Sequence, residues 1–358
     1  MTGRFQCIEV AYVRPETDAA IVVGFRPDDR SAFDFTPGQY LTLRAEIDGV
    51  MEQRCYSICS TPDRAEIEIG LKRVPGGRFS EWAHRTLKPG APIDVLPPEG
   101  RFGIAPDPDR RARYLAIAGG SGITPVLSLA ASLLAAEPKS EFTLVYGNRT
   151  LAGIMFRERL DDLKDRFLDR FSLIHILSAE AQDVPLFHGR IDGPRIGALA
   201  HAGLIVPAEM EAIFLCGPGD MAETAAAALS GLGARPAAIR RELFLPTPGA
   251  AALPAAKSKA GATGKAAVVT AIADGAARTF EMAPDDASLI LAAERAGIEL
   301  PSSCRGGMCC TCRARVVEGE AEMAVNYSLE PWEIEAGFVL ACQSRPLTPT
   351  LTLDFDAV

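Results

Sequence analysis

A group of cysteines near the C-terminal end of the chain constrains its fold more than any other feature. Cys304, Cys309 and Cys312 have the spacing C-x4-C-x2-C, and Cys342 follows much later. This is the spacing of a loop that holds a 2Fe–2S cluster through three thiolates, while a fourth thiolate returns from a distant part of the fold. Glycines in the loop let backbone N–H groups approach the sulfurs. The spacing therefore predicts an iron–sulfur centre, which transfers electrons one at a time.

Two other uses of these cysteines stay open at the level of the sequence. A structural zinc site usually combines two short C-x2-C pairs, and only one such pair is present here. A disulfide framework would require an oxidising compartment and is typical of small domains. Cys310 is surplus to four ligands, and we interpret it as a small space-filling residue. The cluster is the favoured interpretation, and it requires an electron donor elsewhere in the chain.

The charge of the chain is unevenly distributed. The 358 residues, enough for two or three domains, have a formal charge of −9. Residues 266–358 contain 14 acidic and six basic side chains, a balance of −8, whereas residues 1–265 are at −1. An acidic C-terminal module disfavours nucleic acid and suits docking to a basic protein face. Ordinary solubility charge explains the imbalance equally well.

The sequence carries no sign of export or membrane insertion. No apolar run approaches the length of a membrane span, and the N-terminal residues lack the apolar core of a secretory signal. Four cysteines outside the C-terminal group, Cys7, Cys55, Cys59 and Cys216, lack disulfide-like spacing. A reducing compartment suits them. We therefore expect a cytoplasmic protein with no membrane partner.

The first two thirds of the chain change character once. Residues 1–108 contain short alternating runs, such as 20–25 and 40–44, separated by Pro, Gly and Asp turns. Many short strands with one helical stretch, near 80–87, predict a closed antiparallel barrel. In residues 109–245, unbroken apolar runs such as 114–118 alternate with helical patterns. This alternation predicts a parallel α/β sheet that is buried on both faces.

The last third of the chain contains a linker and a small module. Residues 246–265 are rich in Pro, Ala, Gly and Lys and predict a linker. In residues 266–358, Asp274 and Gly275 predict a hairpin between two strands. A helical pattern then covers 288–296 and ends at Gly297.

Two stretches of the barrel carry residue types that suit a cofactor. Arg54, Tyr56 and Ser57 lie at the end of a strand and offer a phosphate ligand, an aromatic face and a hydroxyl group. Gly76 and Gly77 precede a helix start, where free N–H groups bind pyrophosphate. Taken singly, each stretch is more simply explained as strand packing or an ordinary turn.

Three further stretches follow parallel strands, at the edge where nucleotides bind in open α/β sheets. Residues 119–125 connect a strand to a helix, but they form neither a GxGxxG pattern nor a P-loop. Cys216 ends another strand, and Arg149 follows a third, where it could meet an anionic cofactor group. The alternatives are a tight connection, a buried cysteine and a solvated arginine.

Together these stretches resemble the ferredoxin–NADP+ reductase superfamily, in the branch with a C-terminal plant-type ferredoxin domain. The order and separation of the motifs match over essentially the whole chain. The matching residues are Arg54, Cys55, Tyr56 and Ser57, residues 76–80 and 119–125, Cys216, Gly217 and Pro218, Glu242, Leu243 and Phe244, and the four cysteines. The resemblance implies a β-barrel that binds FAD, an α/β domain that binds NAD(P), and a ferredoxin domain of the α+β, β-grasp type.

The resemblance also implies roles for individual residues. Flavin contacts would come from Arg54, Tyr56, Ser57, Gly77, Arg78, Phe79 and Ser80. Gly120, Thr124 and Cys216 would line the nicotinamide site, and Phe244 would cover the flavin face that the nicotinamide must reach. The catalytic group would be Tyr56, Ser57, Cys216 and Phe244. Arg149 and Arg157 would favour the 2′-phosphate of NADPH, although reductases that prefer NADH also carry basic residues nearby. The metal ligands would be Cys304, Cys309, Cys312 and Cys342.

Within this branch the chain is most similar to the reductase subunits of phenylacetyl-CoA epoxidase (ring 1,2-monooxygenase) complexes. Residues 146–150, 155–157, 188–193 and 326–331 carry this likeness. It implies electron transfer from NADPH through FAD and the cluster to oxygenase subunits. Reductases of other oxygenases, such as 3-ketosteroid 9α-hydroxylase and phenol hydroxylase, share most of the catalytic motifs. A reductase for one of those enzymes is the main alternative, and a non-catalytic redox sensor or zinc-stabilised interaction protein is a further one.

Overall fold

The computed structural model describes residues 5–244 and 266–357. They belong to two compact units, one within 5–245 and the other within 246–358. The predicted linker at 246–265 lies outside the described residues. In the described parts of the chain, no helix is long and apolar enough to cross a membrane.

The first unit begins with an antiparallel β-barrel. Its elements are β1 (Gln6–Thr17), β2 (Ala20–Phe25), β3 (Tyr40–Ile47), β4 (Val50–Ser57), β5 (Ile67–Lys72), α1 (Arg78–Thr86) and β6 (Pro92–Glu99). The strand order is β4-β3-β6-β1-β2-β5, and a bridge between Ile58 and Ile69 joins the two edges. Every second residue of β5 enters the barrel core, as alternation requires. The predicted closed barrel is confirmed.

A parallel α/β domain follows in the same unit. Its elements are β7 (Arg113–Gly119), α2 (Ile123–Ala136), β8 (Glu141–Asn148), α3 (Arg157–Arg166), β9 (Phe171–Leu177), α4 (Gly193–His201), β10 (Ala212–Gly217), α5 (Gly219–Gly231) and β11 (Ile239–Leu243). The strand order is β11-β10-β7-β8-β9, with every pair parallel. The carboxyl ends of β7, β8 and β10 therefore meet at one edge, which carries all three predicted nucleotide stretches.

The barrel and the α/β domain share an apolar core. Ala20, Val22 and Cys59 of the barrel belong to the same cluster of buried residues as Ala116 and Phe214. This continuity explains why both domains lie in one compact unit, since apolar surface buried between them is removed from water in both.

An ion-pair network also joins the two domains. Glu68 of β5 is 1% exposed and lies 3.0 Å from Arg159 of α3, from its Oε2 to the Arg159 Nη1. Arg14 and Arg64 each approach the same carboxylate to 3.3 Å, and the Tyr12 hydroxyl donates to it at 2.8 Å. Burial alone would raise the pKa of Glu68, but the three arginines and the tyrosine hold that pKa below its usual value.

The second unit is a mixed α+β module. Its elements are β12 (Ala267–Ala273), β13 (Ala276–Met282), α6 (Leu289–Arg295), β14 (Arg313–Glu318), β15 (Ala321–Met323), α7 (Pro331–Glu335), β16 (Phe338–Leu340), β17 (Ser344–Pro346) and β18 (Thr350–Asp354). The main sheet has the order β13-β12-β18-β14-β16, with β12 and β18 parallel. Asp274 and Gly275 both have positive φ, as a tight hairpin turn requires. The predicted fold class is confirmed for all three domains.

Candidate functional site

The end of β4 presents the first group of predicted flavin residues. The Tyr56 ring packs against Phe79 at a centroid distance of 5.8 Å, and burial raises the pKa of the Tyr56 hydroxyl well above its usual value. Arg54 is held at this edge by Glu52, with 2.7 Å between the Arg54 Nη2 and the Glu52 Oε2. Ser57 is buried, and its hydroxyl points toward the α/β domain.

The start of α1 presents the second group. Gly76 has a φ of +73°, and the chain turns there so that α1 begins at Arg78. The first helical N–H bond belongs to Glu81, so the backbone N–H groups of 78–80 have no acceptor among the described residues. Unsatisfied N–H groups at a helix start bind phosphate groups.

The side chains of this second group mostly serve the fold. Phe79 is 1% exposed and lies in the barrel core. The Ser80 hydroxyl accepts a hydrogen bond from the Val74 N–H at 3.1 Å, which stabilises the turn before α1. Arg78 lies 3.3 Å from Glu52, the carboxylate that also holds Arg54. The two arginines thus lie on either side of one acid.

Ser57, Cys216 and Glu242 meet where the barrel contacts the α/β sheet. The Ser57 hydroxyl donates to the Glu242 Oε2 at 2.9 Å, although the two residues are 185 positions apart. The Cys216 thiol reaches the same oxygen at 3.8 Å. Burial raises the pKa of Glu242 to about 7, against the opposing effect of the two hydrogen bonds. Burial, followed by the nearby Glu242 carboxylate, raises the pKa of Cys216. A carboxyl that titrates near neutral pH therefore lies against two predicted catalytic residues.

Glu242 itself was not among the predicted site residues. It lies in a matching segment with Leu243 and Phe244, but the family resemblance implies no role for it. Its position follows from the pairing of β10 with β11, in which Cys216 lies opposite Glu242. The register is set by how the strands pair in the sheet, so it cannot be read from neighbouring residues. The only indication of Glu242 in the sequence was a single acid in a short charged strand.

The connection from β7 to α2 lies beside this group. Gly120 has a φ of +53°, and its carbonyl accepts a hydrogen bond from the Tyr146 hydroxyl at 2.9 Å. A Cβ on Gly122 would lie 2.1 Å from the Cys216 carbonyl oxygen, so the connection touches the end of β10 directly. Thr124 is buried, and its hydroxyl bonds to the Ser121 carbonyl at 3.0 Å. Two of the predicted nicotinamide stretches are therefore in contact.

The predicted phosphate-binding arginines and Phe244 lie at the same sheet. Arg149 directly follows β8, is exposed, and has no side-chain polar partner among the residues that the structure describes. Arg157 is the first residue of α3 and lies 3.8 Å from Asp161 of the same helix. Phe244 directly follows β11 and packs against the core shared by the two domains.

The cysteine loop lies in the second unit. The Cys309 N–H donates to the Cys304 sulfur at 3.3 Å, and the Gly306 N–H donates to the same sulfur at 3.4 Å. The Cys342 N–H donates to the Cys312 sulfur at 3.5 Å. None of the nine cysteines, all of which the structure describes, forms a disulfide. The fold thus brings Cys342 to the loop. The sequence predicts the fourth ligand from such a distant part of the chain.

Cys310 and its surroundings hold the loop in place. Cys310 has a φ of +59°, an unusual conformation for a residue with a side chain. Its thiol donates to the Ser328 hydroxyl at 3.1 Å, and that hydroxyl contacts the Gly307 carbonyl at 3.3 Å. Cys310 therefore connects the loop to the turn before α7. Its role is larger than the space-filling role that we expected from the sequence.

The residues fit the cofactors that the sequence implies. For a flavin, the first unit offers an aromatic face at Tyr56 and free N–H groups at the start of α1, flanked by two arginines. For an iron–sulfur cluster, the second unit offers four cysteines outside any disulfide, and backbone N–H groups donate to the sulfurs of three of them. Among the residues described, no group of three or more His, Cys, Asp or Glu has the arrangement of a single metal-ion site.

Comparison with known protein families identifies three domains. Residues 17–104 match the oxidoreductase FAD-binding domain, and residues 116–227 match the oxidoreductase NAD-binding domain. Residues 271–347 match the 2Fe-2S iron-sulfur cluster binding domain. The chain therefore contains FAD-binding, NAD-binding and 2Fe–2S domains in this order.

Curated relatives extend over nearly the whole chain. It is 43% identical over 355 residues to a subunit of the 1,2-phenylacetyl-CoA epoxidase of Escherichia coli, an alignment that covers 99% of this chain and 98% of that protein. It is 33% identical over 362 residues to the ferredoxin reductase component of 3-ketosteroid-9-alpha-monooxygenase of Mycobacterium tuberculosis, covering 98% and 95%. Among solved structures, phthalate dioxygenase reductase has the same fold, with a TM-score of 0.60, 23% identity and 98% of both chains covered.

Proposed function

Because this chain belongs to the ferredoxin–NADP+ reductase superfamily, in the branch with a 2Fe–2S domain, we propose that it is an NADPH-dependent reductase of an oxygenase. When bound, FAD would accept electrons in pairs from the nicotinamide, and the cluster would pass them on singly. The observation that carries the proposal is the meeting of Ser57, Cys216 and Glu242 between a flavin domain and a nicotinamide domain.

The first unit would bind and orient the two organic cofactors. Arg54 and the N–H groups at the start of α1 would bind flavin phosphates, and Tyr56 would lie against the flavin ring. Ser57 would place its hydroxyl near the reactive nitrogen. Glu242 supports this role, because a carboxyl with a pKa of about 7 can take up or release a proton beside the Ser57 Oγ.

The nicotinamide would enter at the carboxyl edge of the α/β sheet. Gly120 and Thr124 would shape its site, with Cys216 at the end of β10. Phe244 would cover the flavin face until the nicotinamide displaces it. This assignment is supported by the contact between the β7–α2 connection and the end of β10.

We assign NADPH as the preferred reductant through Arg149, helped by Arg157. Arg149 is exposed at the end of β8 and has no carboxylate partner among the described residues, so it is available to a 2′-phosphate. Arg149→Ala should raise the KM for NADPH roughly tenfold or more, while the KM for NADH changes little, because a charge-assisted hydrogen bond is lost only with NADPH.

The control for this experiment is Lys139→Ala. Lys139 is exposed and precedes β8, at the opposite end of the strand from Arg149. It should leave both KM values unchanged. Equal increases for NADPH and NADH in Arg149→Ala would remove the phosphate role.

In the second unit, Cys304, Cys309, Cys312 and Cys342 would ligate the cluster. The support is that none of the four forms a disulfide and that backbone N–H groups donate to the sulfurs of Cys304, Cys309 and Cys312. The domain limits that we propose are 1–108 for the flavin domain, 109–245 for the nicotinamide domain and 266–358 for the ferredoxin domain, joined by 246–265. A cytoplasmic location suits nine cysteines that form no disulfide among the described residues.

The partner that we propose is the oxygenase of phenylacetyl-CoA epoxidation. The support is the 43% identity to the Escherichia coli protein of that epoxidase along nearly the entire chain. The C-terminal module, at −8, would dock on a basic face of the oxygenase. Tyr327 and Trp332, 43% and 60% exposed, lie in and just after the turn that holds the cysteine loop, and aromatic residues of this kind commonly anchor interfaces.

A second candidate is the reductase of a steroid-directed or ring-hydroxylating oxygenase. The 33% identity to the 3-ketosteroid-9-alpha-monooxygenase component favours it over other classes. A non-catalytic redox sensor or zinc-stabilised protein would be colourless on purification or would fail to oxidise NADPH with a dye present.

The decisive experiment is reconstitution of the full-length holoprotein with purified oxygenase subunits of each class. NADPH-dependent oxygenation of phenylacetyl-CoA is expected, with transfer to the oxygenase slowing as salt rises and dye reduction changing less. A different outcome would contradict the proposed partner: the protein reduces the dye and transfers electrons to a steroid oxygenase, but transfers none to the epoxidase subunits. The steroid oxygenase would then be the partner.

A further inference from the structure

A buried amide lies across the cysteine site. Gln343 directly follows Cys342 in the short turn Ala341–Gln343, and it is 3% exposed. Its side-chain nitrogen Nε2 lies 3.6 Å from the Cys342 sulfur and donates a hydrogen bond to it. The same nitrogen lies 2.9 Å from the Arg305 carbonyl oxygen and 3.1 Å from the Cys342 carbonyl oxygen, so its two N–H groups are shared among three acceptors. One amide group thus contacts both the fourth cysteine and the loop that contains the other three.

The surrounding backbone is shaped to admit this side chain. Gly307, with a φ of +77°, packs against it, because a Cβ at that position would lie 3.1 Å from the Gln343 Cγ. Arg305, whose carbonyl accepts the amide, also has a positive φ, of 52°. Both conformations are uncommon for residues with side chains. The loop therefore follows a path that brings an acceptor to the amide and leaves room for its chain.

The amide differs in kind from the other donors at this site. The N–H groups that point at sulfurs from Cys304, Gly306, Cys309 and Cys342 belong to the backbone, which any residue except proline would supply. The Gln343 contact depends on one side chain. A leucine of similar size would fill the same space and donate nothing.

The electrostatic consequence of such a contact has a definite sign. A cluster held by four thiolates gains one negative charge when it is reduced. A hydrogen bond from N–H to a ligand sulfur stabilises negative charge at that sulfur, and it stabilises the reduced state more because that state carries more charge. In a buried site this effect is only weakly screened by water.

We propose that Gln343 raises the reduction potential of the iron–sulfur centre through the hydrogen bond from its Nε2 to the Cys342 sulfur. The proposal rests on the ligand set proposed above. Gln343 is a positioning residue, since it acts through Cys342. Its effect is to make the centre easier to reduce by the flavin and less strongly reducing toward the partner.

The test uses the full-length holoprotein with FAD and cluster in place. Gln343→Leu removes both N–H groups, and Gln343→Glu keeps the shape but replaces the amide by an acid. Ser344→Ala is the matched control, because Ser344 is also buried and adjacent, but its hydroxyl bonds to the Leu340 carbonyl at 2.8 Å. Iron and sulfide content establish that the cluster is present, and anaerobic spectroelectrochemistry measures its midpoint potential.

Gln343→Leu is expected to keep its cluster and to shift the cluster midpoint to a more negative potential, with Gln343→Glu shifting it in the same direction. Ser344→Ala should not shift it, and the flavin midpoint in the same molecules should stay unchanged in all three. An unchanged cluster midpoint in Gln343→Leu, or an equal shift in Ser344→Ala, would overturn the proposal.

A measurement on the unaltered protein covers the case in which the variants lose the cluster. Gln343 is the one glutamine in residues 266–358, so 15N labelling of glutamine side-chain amides places one label in this module. Pulsed EPR of the reduced centre should then show coupling to a 15N nucleus, and no coupling would overturn the proposal. Failure of the ligand set is distinguishable, because Cys342→Ser would then retain a normal cluster spectrum.

Discussion

At the scale of single residues, the chemistry of the first unit converges on one oxygen atom. The Glu242 Oε2 accepts from Ser57 at 2.9 Å and from Cys216 at 3.8 Å. The two donors stabilise the charged carboxylate, but burial outweighs them and the pKa of Glu242 rises to about 7. The group is therefore partly protonated at neutral pH.

The raised pKa of Glu242 has a measurable effect on stability. With a pKa of about 7, the folded carboxyl keeps its proton between pH 4.5 and pH 7. The unfolded carboxyl, with the ordinary pKa of 4.5, has lost its proton over the same range. The contribution of Glu242 to the free energy of unfolding is therefore largest below pH 4.5, and it is lost as the pH rises through 7. Glu242→Gln should remove that loss, so its unfolding free energy should fall less between pH 5 and 8 than that of the wild type.

Urea unfolding of the holoprotein at several pH values measures this difference. Glu223→Gln is the control, since Glu223 is an exposed acid on α5 and should leave the pH profile unchanged. Parallel profiles for wild type and Glu242→Gln would show that the carboxyl titrates at its usual pKa.

At the scale of elements, tight connections place the nicotinamide edge. The β7–α2 connection touches the end of β10 so closely that Gly122 has no room for a side chain. Helix α3 plays the corresponding part on the barrel side, because it begins at Arg157 after Phe156, whose backbone N–H donates to Glu16 of β1 at 2.6 Å. Both contacts are made by the ends of elements, where side chains of the site also lie.

Gly122→Ala should separate the β7–α2 connection from the end of β10. The added Cβ would lie 2.1 Å from the Cys216 carbonyl oxygen, so one of the two must move. Overpacking of this kind costs about 1–3 kcal/mol. Nicotinamide binding should weaken by about tenfold or more, because the site residues are displaced. The measurement is the Kd for NADP+ by absorbance titration of the bound flavin.

Gly197→Ala is the matched control for that variant. Gly197 lies inside α4, and a Cβ there would meet no atom within 4 Å. It should leave NADP+ binding unchanged and slightly increase stability, since alanine favours helix. Normal NADP+ affinity in Gly122→Ala would show that the close contact does not shape the nicotinamide site.

Arg159→Met should loosen the joint between the barrel and the α/β domain. The buried Glu68 carboxylate then keeps only Arg14 and Arg64, which are both more exposed than Arg159. The hydrogen bond from Arg159 to the Cys59 carbonyl at 3.0 Å is also lost. We expect a loss of about 2 kcal/mol in the free energy of unfolding.

Arg157→Met supplies the comparison on the same helix. Arg157 is 52% exposed and pairs with Asp161 at 3.8 Å, so its loss should cost less than about 0.5 kcal/mol. Similar losses in the two variants would mean that the Glu68 network adds no more than a surface pair. Thermal unfolding of the holoproteins measures both.

At the scale of the whole molecule, the described residues form two units with separate cores. The first contains the predicted flavin and nicotinamide residues, and the second contains the four cysteines. Damage to one site should therefore leave the other intact. Acidic charge is denser in the second unit, since residues 266–358 carry −8, whereas the much longer stretch 5–244, with 32 acidic and 27 basic side chains, carries −5.

Cys342→Ser tests this independence. Loss of one ligand should abolish the iron–sulfur absorption and transfer to the oxygenase, because the fourth thiolate is missing. NADPH-dependent reduction of a two-electron dye should stay within about twofold of the wild-type rate, since the first unit has its own core. Cys7→Ser, at an exposed position outside the loop, should retain both activities. Loss of dye reduction along with the cluster would show that the two sites depend on each other.

Much of the architecture was readable from local patterns. Asp274 and Gly275 form the expected hairpin turn, the helical pattern over 288–296 contains α6, and the apolar run at 114–118 lies in β7. Strands with weak patterns were missed. β1 reads QCIEVAYVRPET, with a proline and mixed polarity, and β11 reads IRREL, so neither shows clean alternation.

By itself, the sequence determined the cysteine spacing, the order of strand and helix patterns and the uneven charge, because each of these is a property of neighbouring residues. The tertiary structure alone decided which distant groups meet. Ser57 reaches Glu242 across 185 positions, and Arg159 reaches Glu68 across 91, because strand register and domain packing bring them together. In the sequence, nothing distinguishes Gln343 from any other polar residue that follows a cysteine. Only the fold shows that it is buried against the cysteine loop. Contacts of this range depend on the whole fold, so no local pattern encodes them.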